Sequence, residues 1–258
     1  MGEYSIVERE GNLTVITINR PEVMNALHAP AHDEISAIFD DFVSDSEQWV
    51  AIITGAGERA FSAGNDLKYQ ASGGDMTRGS ETGFAGITSR FDNSKPIIAA
   101  VNGVAMGGGF EIALACDLIV AAENAVFALP EPRVGLAALA GGVHRLPREI
   151  GMKQALGMML TGRRVSAEEG KQLGFVNDVA PAGQALVVAK EWAGQILECA
   201  PLSVRASKQA AMEGMNVASL QKAMSGKYDR VSAMRHSADF VEGPLAFSEK
   251  RAPNWVGA

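Results

Sequence analysis

Ala99-Ala100-Val101-Asn102-Gly103-Val104-Ala105-Met106-Gly107-Gly108-Gly109-Phe110-Glu111 is the stretch that decides how this chain folds. An apolar, strand-like run ends in a turn. Three consecutive glycines follow, and then a carboxylate on what reads as a new helix. Glycine loses more backbone freedom on folding than any other residue. Three of them between two apolar segments therefore mean that something lies close to the backbone. A helix N-terminus adds unpaired N–H groups and a partial positive charge. The stretch reads as a place that holds developing negative charge, with Glu111 beside it.

Outward from here, strand-like and helix-like segments alternate. Residues 97–101 read as a strand and 110–116 as a helix, followed by short strands at 118–121 and 125–128. Upstream, 4–9 and 13–19 are β-rich runs around Glu10-Gly11-Asn12, a hairpin signal. Ile35, Ile38, Phe39, Phe42 and Val43 share one face of a helix over 31–44. Residues 50–54 form a continuous apolar run, as in a strand buried on both faces. The alternation predicts an α/β fold with covered sheet faces.

Beyond residue 145 the chain turns mostly helical. Ser166-Ala167-Glu168-Glu169 is a capping box. Residues 175–179 read as a last strand, and 183–199, 201–215 and 219–234 as helices with alanine-rich faces that must pack on the core or on another subunit. Residues 70–83, rich in glycine, serine and threonine, read as a mobile lid or as a plain connection.

The 258 residues suffice for one large domain, or one domain with a small appendage. A net charge of −7 argues against a broad nucleic-acid footprint. Cys116 and Cys199 lie in apolar surroundings and read as buried free thiols. His28, His32, His144 and His236 lack ligand spacing, so no metal is expected. The N-terminus carries no secretory pattern, and no apolar run reaches membrane-spanning length. The expected location is the cytoplasm, with no membrane contact.

Two further segments bear on chemistry. Phe61-Ser62-Ala63-Gly64-Asn65-Asp66-Leu67-Lys68 follows a buried strand and has small residues where a ligand can approach. Taken alone it is also an ordinary turn. Glu131 stands between Pro130 and Pro132 after an apolar strand, on a restricted backbone. One helix and two strands separate Glu111 from Glu131, so the chain can bring them together. Two carboxylates in one apolar cleft do not easily both ionise. One then holds a proton while the other accepts one, which suits moving water across a bond.

Taken together, these segments resemble the crotonase superfamily, the enoyl-CoA hydratase/isomerase family. The resemblance runs nearly the whole length and includes Arg20-Pro21-Glu22-Val23-Met24-Asn25-Ala26-Leu27, the 61–67 and 102–111 segments, Leu129-Pro130-Glu131 and the basic C-terminal tail. It implies a crotonase (ClpP/crotonase-like) spiral core of stacked short-strand sheets flanked by helices over residues 1–200. Residues 201–258 would form a helical region for trimerisation and ligand closure. It further implies an acyl-CoA thioester substrate and reversible syn addition of water to its 2,3 double bond. No separate cofactor is implied, since coenzyme A is part of the substrate.

By the same resemblance, the N–H groups of Asn65 and Gly108 form an oxyanion hole, and Glu111 and Glu131 are catalytic. Met24, Ala26, Ala63, Leu67 and Lys68 would bind CoA. Phe247 and Lys250 would do so from a neighbouring subunit of a trimer or hexamer. Lys68 and Lys250 read equally as solvated surface lysines. Leu136 and Leu139 would line the acyl pocket. Leu139 stands where relatives often have glycine, with its N–H available to the catalytic water. Arg133 is either a contact for a polar acyl group or simply exposed.

The resemblance leaves rivals on the same scaffold: a carnitinyl-CoA dehydratase, an isomerase, a hydrolase, a decarboxylase and a dehalogenase. A non-catalytic acyl-CoA- or RNA-binding relative is a different class, as is a glycosidase-like carboxylate pair. The charge counts against RNA. The scattered Trp49, Trp192 and Trp255 offer a sugar no platform.

Overall fold

The computed structural model describes residues 2–74 and 81–258. Strands β1 (Ser5–Glu10) and β2 (Leu13–Ile18) form the expected antiparallel hairpin, with Ser5 opposite Ile18 and Glu10 opposite Leu13. Helix α1 (Ala29–Ser44) follows, then β3 (Val50–Gly55), β4 (Ala60–Ser62), α2 (Leu67–Ala71), β5 (Ile97–Val101), β6 (Val104–Met106), α3 (Gly108–Ala115), β7 (Leu118–Ala122) and β8 (Val126–Ala128). Next come α4 (Gly142–Ile150), α5 (Met152–Thr161), β9 (Val165–Ser166), α6 (Ala167–Leu173) and β10 (Asp178–Ala180).

The chain winds as a spiral. It gives one strand to a large sheet ordered β1-β2-β3-β5-β7-β10, then one to a small sheet ordered β4-β6-β8-β9. From β2 onward the large sheet is parallel, and β4, β6 and β8 are parallel in the small one. Each of β3, β5 and β7 is followed within a few residues by its partner β4, β6 or β8. This is the α/β architecture the sequence predicts.

Strand alternation sorts side chains onto two cores. Ala51, Ile53, Ala99, Val101 and Ala121 face inward with Phe39 and Phe42 of α1. Val50, Ile52, Ile98, Ala100 and Val120 face the other way, against Ala189 and Ala193 of α7 (Ala185–Leu197). Because both faces are covered, β3 and β5 are buried at every position. A fully buried Ile or Val of this kind contributes about 1.5–3 kcal/mol.

After α7 come α8 (Pro201–Gly214), α9 (Leu220–Met224), α10 (Asp229–Arg235) and α11 (Ala238–Glu249). The tail then folds back, with Trp255 Nε1 donating to Glu198 O at 2.8 Å and the Gly257 N–H to Asp239 Oδ2 at 3.0 Å.

Three expectations need correction. Residues 219–234 are two helices, because the chain turns through Ser225-Gly226-Lys227 between α9 and α10. The last large-sheet strand is Asp178–Ala180, since Phe175 and Val176 are plugs in the core beside Gly170. Cys199 is exposed past the end of α7, and Cys116 is only partly buried, its Sγ donating to Ile112 O at 3.4 Å. Residues 75–80, the middle of the 70–83 stretch, lie outside the described residues; α2 takes its beginning. The Ser166 cap is as expected: its Oγ accepts the Glu169 N–H at 3.1 Å. No described helix is long and apolar enough to cross a membrane.

Candidate active site

Three neighbouring strands of the small sheet end side by side, and each hands the chain to a piece of the site. Strand β4 leads into Ala63-Gly64-Asn65, β6 into Gly107-Gly108, and β8 into Leu129-Pro130-Glu131. Parallel strands lie about 4.8 Å apart, so these three ends share one crevice.

The glycine triplet works residue by residue. Gly107 caps α3 at φ 54°, ψ −125°, a conformation closed to side-chain-bearing residues. A Cβ there would stand 3.0 Å from Glu131 Oε1. Gly108 opens the helix. A Cβ on Gly109 would fall 2.0 Å from Ser62 O, which is why α3 can lie on β4. Gly64, at φ 86°, approaches from the other side: a Cβ there would be 2.8 Å from Gly108 N. The Leu27 N–H donates to Gly64 O at 2.8 Å, and the Asp66 N–H to Leu27 O at 2.9 Å, which fixes the turn around Asn65. The main-chain N–H groups of Asn65 and Gly108 donate to no acceptor among the described residues. The Asn65 side chain points elsewhere, its Nδ2 donating to Gln70 Oε1 at 2.9 Å.

Glu111 sits one helical turn beyond Gly107, with its N–H on Gly107 O at 3.0 Å, and is 3% exposed. Its Oε1 accepts the Gly142 N–H at 2.8 Å, at the start of α4. A side chain on Gly142 would crowd Glu111, with Cγ and Oε1 both 3.1 Å from a Cβ there. Burial pushes the Glu111 carboxyl up to about 7, and the nearby Glu131 charge adds to the rise. The Gly142 and Ala140 N–H groups and the Arg145 guanidinium oppose it.

Glu131 begins a 3-10 turn over Glu131–Val134, closed by Gly135 at φ 75°. Burial raises its carboxyl as well. Its Oε2 is buried and has no hydrogen-bond partner among the described residues. The two carboxylates therefore flank the Gly107–Glu111 turn, and one has a free acceptor oxygen.

The raised Glu111 value has a stability consequence. Below about pH 4.5 the carboxyl is protonated both folded and unfolded. As pH rises toward 7 the unfolded chain releases the proton first, so the native state loses stability through that window and has lost it above 7. A rise from 4.5 to about 7 corresponds to roughly 3 kcal/mol. Glu111→Gln keeps an oxygen for the Gly142 N–H. It is expected to melt several degrees above the parent at pH 8 and level with it at pH 4, by calorimetry. Equal melting at both values would remove the buried charge from the account.

The remaining sequence candidates fall into three groups. Met24, Ala26, Ala63, Leu67 and Lys68 share one neighbourhood. Met24 sits at φ 58° and its carbonyl accepts the Ala63 N–H at 2.9 Å; an Arg20–Asp66 ion pair of 3.0 Å ties the two segments. Leu136 and Leu139 lie on the loop after Glu131, exposed by 46% and 77%. The Leu139 N–H is not available to a water, because it donates to Ala137 O at 2.8 Å. Arg133 points away from the site and donates to Thr161 O at 3.0 and 2.8 Å. Phe247, 87% exposed, and Lys250, at φ 56°, end α11 and make no hydrogen bond or ion pair to the Met24 or Leu67 segments.

Sequence reasoning missed Gly142, Gly64 as the close-approach glycine, and Phe84, whose Cζ lies 2.5 Å from where a Cβ on Gly108 would stand. The Gly141-Gly142 doublet was the one local signal for the first. Among the described residues no three His, Cys, Asp or Glu side chains cluster as metal ligands.

A family model described as enoyl-CoA hydratase/isomerase matches residues 8–258. A carnitinyl-CoA dehydratase of Escherichia coli is 44% identical over 264 residues, covering all of both chains. Among solved structures, an enoyl-CoA hydratase from Mycobacterium tuberculosis superposes with a TM-score of 0.93 at 38% identity, covering all of both chains. A carnitinyl-CoA hydratase from Mycobacterium avium does so with a TM-score of 0.79 at 39% identity, again over the full length of both.

Proposed function

The chain belongs to the enoyl-CoA hydratase/isomerase family, and from that premise we propose that it is a hydro-lyase adding and removing water across the 2,3 double bond of an acyl-CoA thioester. The observation that carries the reading is the carboxylate pair. Glu111 is held by the Gly142 N–H, and Glu131 offers across Gly107 a buried Oε2 that has no partner among the described residues.

In this reading the thioester oxygen accepts from the N–H groups of Gly108 and Asn65. These donors are fixed by the backbone, so they stabilise enolate-like charge without reorganising. Ionised Glu111 takes a proton from water as its oxygen bonds to C3. The proton that the pair shares is delivered from the Glu131 side to C2 on the same face. Dehydration is the reverse. The pair shares one proton and titrates as a unit. An isomerase that shuttles a single proton needs only one carboxylate, so the second one favours water chemistry.

The limb of the rate profile that ionises the base is expected near pH 7, because burial raises Glu111 to about that value. Activity rises with pH through that limb; a profile flat from pH 5 to 8 would contradict the assignment of Glu111 as base.

Met24, Ala26, Ala63, Leu67 and Lys68 form the CoA-facing side in this reading. Phe247 and Lys250 join it from a neighbouring copy in a trimer or a hexamer of two trimers. Support for assembly comes from the exposed apolar residues of the tail, among them Met215, Leu220, Met224, Val241 and Phe247. A groove of ≈ 840 Å³ also lies between α8, α9 and α10, away from the glutamates. The free thiols fit a reducing cytoplasm.

A second reading, dehydration of a carnitinyl ester, is favoured by the 44% identity to carnitinyl-CoA dehydratase over the whole chain. Both readings are tested by assaying water addition and loss across linear, aromatic and carnitinyl CoA esters. The class with the highest kcat/KM identifies the acyl group. Failure of every ester to gain or lose water overturns the proposal.

A further inference from the structure

His32, on the first turn of α1, is 8% exposed and takes no part in the reaction described above. Its Nδ1 accepts the Ala85 N–H at 2.9 Å. Its ring packs edge-on against Phe84, with centroids 4.2 Å apart. Ala85 is held at φ 52°, ψ 24°, a left-handed conformation that side-chain-bearing residues rarely adopt. Its neighbours allow no relaxation by substitution. Gly83 is at φ 79° and Gly86 at φ 66°, and a Cβ on Gly86 would fall 2.4 Å from Ser36 Cα.

The strained turn has one result: the tip of the Phe84 ring lies over Gly108, with Cζ and Cε1 2.5 and 2.6 Å from where a Cβ would be. The far end of the segment is anchored too. The Phe84 N–H donates to Thr88 Oγ1 and Arg145 Nη2 donates to Thr88 O, both at 2.8 Å. The Ala85 N–H is buried, and left without an acceptor it would cost more than a hydrogen bond is worth. Burial pushes His32 down to about 4, so at neutral pH Nδ1 keeps its lone pair and Nε2 carries the proton.

We propose that His32 is a positioning residue: by accepting the Ala85 N–H it holds the strained turn that sets Phe84 against Gly108 and so shapes the acyl side of the oxyanion hole. This rests on the hydro-lyase reading, in which Gly108 is an oxyanion donor.

The test compares His32→Leu, which loses the acceptor, with His32→Asn, whose Oδ1 stands in for Nδ1. On the best enoyl-CoA ester, His32→Leu is expected to lower kcat/KM by about 10- to 100-fold through misplacement, with the Kd for free CoA unchanged. His32→Asn is expected to recover to within about threefold of the parent. Phe84→Ala is expected to add little in the His32→Leu background, because the two act through one contact. If His32→Leu does not fold, His32→Gln replaces it, since its amide sits at the Nε2 end.

Parent-like turnover by His32→Leu, equal impairment by His32→Asn, or additive losses with Phe84→Ala would each overturn the proposal. A matching loss of free-CoA affinity would also overturn it. Should the parent hydrate no ester, the hydro-lyase reading fails. The same cycle is then read by calorimetry with butanoyl-CoA: coupling between positions 32 and 84 sustains the positioning role, and its absence overturns it.

Discussion

Replacing Glu111 or Glu131 by Gln is expected to lower kcat for water addition by about 10²- to 10⁴-fold, the range that a positioned general acid or base supplies. The two substitutions are expected to leave CoA-ester affinity close to the parent's, because in the proposed mechanism neither carboxylate holds the thioester oxygen. Glu111→Gln retains the Gly142 contact, so its loss reports on the missing base and not on a displaced side chain. Glu131→Gln removes the proposed proton donor, whose buried Oε2 has no hydrogen-bond partner among the described residues. The double variant falls little further than either single one, since groups that act as a unit are not additive. Near-parent turnover in either single variant would sink the two-carboxylate mechanism.

The second large effect is expected at Gly108. Proline there removes the proposed oxyanion N–H while suiting the first position of a helix, where the N–H has no intrahelical partner. Any residue at 108 must displace Phe84, so the control is Gly108→Ala, which makes the same collision but keeps the N–H. Gly108→Pro is expected to be slower than Gly108→Ala by about 10²- to 10³-fold in kcat, the usual cost of one oxyanion donor. Circular dichroism and thermal melting of both variants separate this from misfolding. If the two variants are equally active, Gly108 is not a donor.

The parts of the site legible in the sequence were those written in a local backbone signature. Gly107-Gly108-Gly109 announced a close approach, Pro130-Glu131-Pro132 a constrained carboxylate, and Ala63-Gly64-Asn65 a turn after a strand. The three belong together because β4, β6 and β8 are parallel neighbours. Those strands have only three residues each, too few for periodicity to reveal. β4 and β6 were therefore invisible as strands, although their following loops were not.

Contacts made by main-chain groups across long separations left little trace in the sequence, the Gly141-Gly142 doublet apart. The Gly142 N–H reaches Glu111, and His32 reaches Ala85, through the winding of the spiral. The tail misled for a different reason. Small apolar residues run through 219–234, yet Gly226 breaks the helix, because local turn chemistry overrides a composition that favours helix. Cys199 looked buried from its neighbours, but it follows the last turn of α7, on the side that faces solvent in the single chain.

The central claim is water chemistry at C2 and C3 under two glutamates, and incubation of an enoyl-CoA ester with the protein in deuterium oxide tests it most directly. Nuclear magnetic resonance of the product is expected to find a hydroxyl on C3 and one deuteron on C2, added to the same face, and neither with Glu111→Gln on the same timescale. A shifted double bond with no hydroxyl, or hydration that persists in Glu111→Gln at the parent's rate, would contradict it.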